Sequence, residues 1–141
     1  MSTKEQVRPI PVPTVDSKPF WESSKRHDLE LQRCRSCAKF YFPPSHGCAH
    51  GGTIDNEWGK VSGNAKIYSW CTFQVPFVPY FTDDLPYASV VVEFEEAGGP
   101  RIISNVVDVK PDDLEIDMPL EIVYEDVSDD ITLVKFKKAS L

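Results

Sequence analysis

Residues 32–52 read QRCRSCAKFYFPPSHGCAHGG, and this stretch decides how the rest of the chain is divided. Cys34 and Cys37 form a CxxC knuckle, a turn that aims two sulfurs at one point. Cys48 arrives where a second knuckle is due, but the position of its partner holds Gly51. A structural zinc takes four Cys or His ligands in a tetrahedron. Three thiols are on offer, with His50 nearest the vacant fourth position and His46 on the other side of Cys48. Two readings stay open. Either zinc is held by Cys34, Cys37, Cys48 and His50, or the ribbon has lost its metal and is held by Phe40, Tyr41 and Phe42. The role is structural in both, because a catalytic zinc keeps an open position near a general base and nothing here nominates one.

Upstream, residues 1–16 contain RPIPVP, which reads as an extended arm. Pro19 suits a first helical turn, Ser17 is placed to cap it, and a short helix is expected over about 18–27. So short a helix must dock, and Phe20 and Trp21 are the side chains that would do so. LELQRC alternates like a strand entering the knuckle, KFYFPP returns from it, and GGTIDNE reads as a turn.

Downstream the chain is strand after strand. AKIYSWCTFQV, YASVVVEFEE, RIISNVVDV, LEIVYEDV and ITLVKFKKA alternate and are rich in β-branched and aromatic residues. The one helical break falls between the third and fourth, in KPDDLEIDMPL. That layout predicts a mainly β protein ending in a five-stranded OB-fold barrel. The expected division is 1–16 arm, 17–58 helix and ribbon, and 59–141 barrel.

Fifteen Lys and Arg stand against 22 Asp and Glu, a net charge of −7. Residues 1–70 carry ten basic and seven acidic side chains, residues 71–141 five and fifteen. The acidic half repels phosphate backbones, which argues against a single-stranded nucleic-acid module despite the ribbon and OB pattern. An anion is expected to approach the front half, where Lys25, Arg26, Arg33, Arg35 and Lys39 cluster. Arg33 and Arg35 alternate along a strand and so share a face. No apolar run nears the roughly 18–20 residues that cross a bilayer, and no apolar leader is present, so no membrane is involved and the cytoplasm is expected. In that compartment the clustered thiols read as ligands, while Cys71, in a strand, reads as a small buried hydrophobe. No nucleophile–base pair stands out, and no catalytic residue is assigned.

The most unusual stretch is CTFQVPFVPYFTDDLPY, residues 71–87. Phe73, Phe77, Tyr80, Phe81 and Tyr87 lie among three prolines. A loop so apolar either covers the barrel mouth or meets another molecule.

PFWESSKRHDLELQRCRSC (19–37), YFPP (41–44), VSGNAKIYSW (61–70), LPYASVVVEF (85–94) and MPLEIVYEDV (118–127) come in that order. Together they resemble the zinc-ribbon/OB-fold proteins long filed as a domain of unknown function and linked to acyl-CoA metabolism. The resemblance implies a helix, a rubredoxin-like zinc ribbon and an OB barrel. It also implies a non-catalytic partner of a thiolase-like acyl-CoA enzyme, an aldolase or lyase of steroid side-chain CoA thioesters or an acyltransferase. A MaoC-like enoyl-CoA hydratase is the other partner class it implies. On this reading Lys25, Arg26, Arg33, Arg35 and Lys39 help seat the CoA ester, and Phe20, Trp21, Phe73, Phe77, Tyr80, Phe81 and Tyr87 face the partner. The sequence departs from the family at Gly51, where a fourth cysteine is usual, and at Ala65, where glycine is common.

Overall fold

A computed structural model describes residues 7–48 and 54–140. Helix α1 spans Lys18–Lys25, with Pro19 in its first turn. Ser17 does not cap it. Its hydroxyl instead accepts from the Thr14 amide at 2.8 Å. The helix stops two residues earlier than expected, because His27 takes a left-handed conformation (φ 57°) and turns the chain into the ribbon. The buried hydroxyls of Ser23 and Ser24 both donate to the Phe20 carbonyl, and Ser23 Oγ accepts from the Glu30 amide. Both buried hydroxyls are thereby satisfied where the helix meets the first strand.

The ribbon is a three-stranded antiparallel sheet in the order β2-β1-β3, formed by β1 (Glu30–Cys34), β2 (Phe40–Tyr41) and β3 (Asn56–Lys60). The third strand corrects the reading of this region as a turn: Asn56–Lys60 pairs with β1 along its whole length. The boundary placed between residues 58 and 59 falls inside it. Gly59 suits the close approach there, since a Cβ would stand 3.1 Å from the Phe40 ring and push it aside by a few tenths of an ångström.

The remaining strands are β4 (Asn64–Phe73), β5 (Tyr87–Glu93), β6 (Arg101–Ser104), β7 (Pro119–Asp126) and β8 (Thr132–Lys138). They form one curled sheet in the order β6-β5-β4-β7-β8, every pairing antiparallel. The long β4 serves two partners, β7 at its start and β5 beyond, with an irregularity between Ile67 and Ser69 that lets it bend. The ends of the sheet meet in a short parallel stretch. Phe136 accepts from the Val107 amide at 2.7 Å and donates to the Asn105 carbonyl at 3.0 Å. This is the five-stranded OB arrangement, closed as a half-barrel.

One apolar core serves helix, ribbon and half-barrel. Phe20, Leu29 and Leu31 pack in the same cluster as Ile67, Val90, Val92, Phe94, Leu120 and Phe136. Cys71 is a correction: it is exposed on β4, whereas its neighbour Trp70 is the residue that packs against the core.

Phe136 is fully buried at the seam, against Phe94. Phe136→Ala is expected to cost about 3–5 kcal/mol in urea denaturation. Ile103→Ala on the exposed edge strand should stay within about 0.5 kcal/mol.

Candidate functional site

The knuckle turn is built by Ala38 in a left-handed conformation (φ 61°), with its amide donating to the Cys34 carbonyl. The Cys34, Cys37 and Cys48 sulfurs lie within 4.8 Å of one another, and Cys37 Sγ is 3.6 Å from Cys48 Sγ. Sulfurs bound about 2.3 Å from one zinc in a tetrahedron are about 3.8 Å apart. The three thiols therefore fit a zinc ion, with Cys34 and Cys48 buried and Cys37 half-buried. His46 does not join them, because its ring turns to the Asp16 carboxylate 3.6 Å away. His50, the expected fourth ligand, lies outside the described residues, as does Gly51.

The surroundings also favour a cation. The Cys37 thiol is held above its ordinary value: the hydrogen bond at the Lys39 backbone lowers it, but burial and the two neighbouring sulfurs raise it further. Burial raises the Tyr41 phenol, and the three cysteines add to this. Tyr41 packs against Cys34 and Cys48, and its hydroxyl is buried without a hydrogen-bond partner among the described residues. Zinc in this pocket would hold the thiols as thiolates and cross-link β1 to the segment ending at Cys48, a structural service.

The basic cluster lies on the ribbon and the end of α1. Arg33 and Arg35 do face the same way, but acids of β3 and its approach meet them there. Arg33 lies 3.9 Å from Glu57, and Arg35 lies 3.5 Å from both Glu57 and Asp55. Arg26 pairs with Glu30 at 3.4 Å. Lys25 and Lys39 have no carboxylate partner among the described residues.

The 71–87 loop is organised by its own rings. Phe73 stacks on Tyr87 with centroids 5.2 Å apart, Phe77 meets the edge of Phe73, and Tyr80 meets Phe81. A 3-10 turn over Pro79–Asp84 carries the last two. Tyr80, Phe81 and Tyr87 are half-buried along a cleft of about 530 Å³ that Lys135 and Glu125 also line. Phe77 points away, 73% exposed, with Val75 and Val78 exposed beside it. The loop thus borders the barrel mouth with one end and offers an apolar tip with the other. Phe20, by contrast, lies in the core and is 4% exposed, leaving Trp21 as the aromatic ring the helix shows.

Two features carried no sequence signal. Arg8 of the arm bonds Glu125 at 3.0 Å, and Glu125 also takes Lys135 at 2.6 Å. Burial pushes the Glu125 carboxyl up, but these two cations outweigh it and hold the group below its usual range. His27 stacks on Tyr124 and bonds Asp126 at 2.9 Å, tying the helix end to β7. The hydrogen bond from His27, with a second from Thr132, lowers the Asp126 carboxyl.

Comparison with known proteins bears on this arrangement. Residues 21–52 match the family described as the ChsH2 rubredoxin-like zinc ribbon domain, and residues 58–125 the ChsH2 C-terminal OB-fold domain. A DUF35 domain-containing scaffold protein of Methanocaldococcus jannaschii is 33% identical over 78% of this chain and 77% of its own length. A solved structure described as an Ltp2-ChsH2(DUF35) aldolase superposes with a TM-score of 0.81 at 30% identity, covering 93% of this chain and all of that one. A probable enoyl-CoA hydratase alpha subunit of Thermomonospora curvata is 32% identical over 94% of this chain, which spans 40% of its length. The architecture is that of a zinc ribbon joined to an OB-fold domain. The chain belongs to the DUF35 family, with the zinc ribbon and OB domains of the ChsH2 type. No helix among the described residues is long and apolar enough to cross a membrane.

Elemental analysis of the purified chain should find about one zinc per molecule, lost in Cys34→Ser, while the far-ultraviolet signature of the half-barrel persists. The lowered Asp126 carboxyl sets a second expectation. Its folded value lies below the unfolded 3.8, so it contributes stability above that pH and loses the contribution as pH falls through the folded value. Asp126→Asn should therefore flatten the acid limb of the thermal midpoint below about pH 4.

Proposed function

We propose that the chain is a non-catalytic OB-fold subunit that binds and stabilises a thiolase-like acyl-CoA enzyme and helps seat its CoA ester. The partner is an aldolase or lyase acting on steroid side-chain CoA thioesters, or an acyltransferase. The observation that carries this reading is the 71–87 loop. Its prolines and stacked rings hold it in shape, yet Phe77 is presented outward instead of folding over the chain's own interior. A preorganised apolar tip lowers the entropy lost on docking. The likeness to an aldolase assembly containing a DUF35 component supports the same class of partner.

Lys25 and Lys39, with Arg33 and Arg35 nearby, are the groups proposed to receive CoA phosphates. The phosphates would compete with Asp55 and Glu57 for the two arginines. A metal held by Cys34, Cys37 and Cys48 would brace the sheet that carries Arg33, a structural role. A second reading, partnership with a MaoC-like hydratase, is favoured by the likeness to the Thermomonospora curvata protein, in which the matching region is one portion of a larger subunit. Single-stranded nucleic acid is disfavoured, because residues 71–141 carry five basic against fifteen acidic side chains.

Co-expression with a thiolase-like aldolase from the same organism, followed by size-exclusion chromatography, tests the proposal, with a MaoC-like hydratase as the parallel arm. Co-elution with one enzyme is expected. Phe77→Glu should weaken that complex by about tenfold or more, since a buried Phe side chain contributes about 1.5–3 kcal/mol. The thermal midpoint of the chain alone should not move. Separate elution from both enzymes, each fully active alone, would sink the reading.

A further inference from the structure

Pro9, Pro11 and Pro13 alternate with Arg8, Ile10 and Val12. Each proline fixes its own φ near −65° and keeps the preceding residue extended, so residues 8–13 are preset for polyproline II, with three residues per turn. Residues 7–14 accordingly join no helix or strand. Their contacts come at that spacing. Arg8 is half-buried and bonded to Glu125; Pro11 is half-buried as a wall of an apolar groove shared with Phe20, Trp21, Phe42 and Ile103. Thr14 then fastens the arm to the helix through Ser17. Pinned on that side, the arm turns Pro9 and Val12 outward, continued by Val15 at the turn into α1. Val12 is 85% and Val15 91% exposed.

A polyproline II segment makes no internal hydrogen bonds and is recognised by aromatic-lined grooves, which exploit its low entropy. We propose that the arm is a preformed polyproline II ligand whose outward ridge, Pro9, Val12 and Val15, docks in an aromatic-lined groove on the acyl-CoA enzyme. This rests on the partnership proposed above and adds a second contact to the Phe77 tip. The cleft bordered by Tyr80, Phe81 and Tyr87 on a second copy is a poorer host, because that copy's own Arg8, with Asp84, Glu125 and Lys135, lines the same cleft and makes it charged. Arg8 acts as a positioning residue: its bond to Glu125 fixes the direction the ridge faces.

The test uses the full-length chain and the purified enzyme with which it co-elutes, immobilised for binding measurements. The double variant Val12→Asp, Val15→Asp should bind about tenfold or more weakly, and Arg8→Ala about threefold more weakly. Neither should shift the thermal midpoint, and protease cleavage within residues 8–15 should slow in the wild-type complex. Unchanged affinity of the double variant, with Phe77→Glu still impaired, overturns the arm inference and leaves the loop reading standing. Failure of the wild-type chain to bind overturns both. Loss of self-association with enzyme binding intact also overturns the inference.

Discussion

A five-stranded sheet of such short strands has two open edges, and how they are joined determines the rest of this molecule. The joint is Phe136. Its amide and carbonyl bridge to Asn105 and Val107, while its ring lies against Phe94 in the core. Backbone pairing and apolar burial thus occur at the same residue, so neither can be lost without the other. Phe20, Leu29 and Leu31 pack in the same cluster. The helix and the inner face of the ribbon therefore depend on a surface that exists only when the sheet is curled. The reverse also holds, since without that cover the inner ends of the strands would meet water.

This sharing also anchors the ribbon by means other than a metal. A free-standing zinc knuckle has little core of its own and folds around the ion. Here β1 is paired on both sides and anchored by Leu29 and Leu31 in the common core. A metal held by Cys34, Cys37 and Cys48 would tighten the outer end of a sheet whose inner end is already fixed.

Much of this was legible in the residues. The CxxC spacing located the thiol cluster, since a knuckle turn leaves the sulfurs few other directions. The five alternating segments gave all five barrel strands, because one face of each is buried and period two follows. Asn56–Lys60 stayed hidden for the opposite reason: NEWGK has no alternation, and its pairing is dictated by β1. Cys71 was misjudged because successive strand residues face opposite ways, and Trp70, not Cys71, is the one turned to the core. The charge cluster was found but not its neutralisation, since Asp55 and Glu57 reach Arg35 only once β3 lies beside β1. The grip of Arg8 on Glu125 joins residues 117 positions apart, a pairing no local pattern announces.

The polarity that concealed β3 has its own consequence. β3 ends its sheet, with β1 on one side and no strand on the other among the described residues. A bare margin of that kind invites a neighbouring molecule to extend it, and repeated extension leads to fibrils. Glu57 and Lys60 make like-against-like stacking along this margin unfavourable, and Gly59 lowers its propensity for β structure. Apolar surface is displayed elsewhere, at the Phe77 tip, while this flank stays unattractive to a further strand.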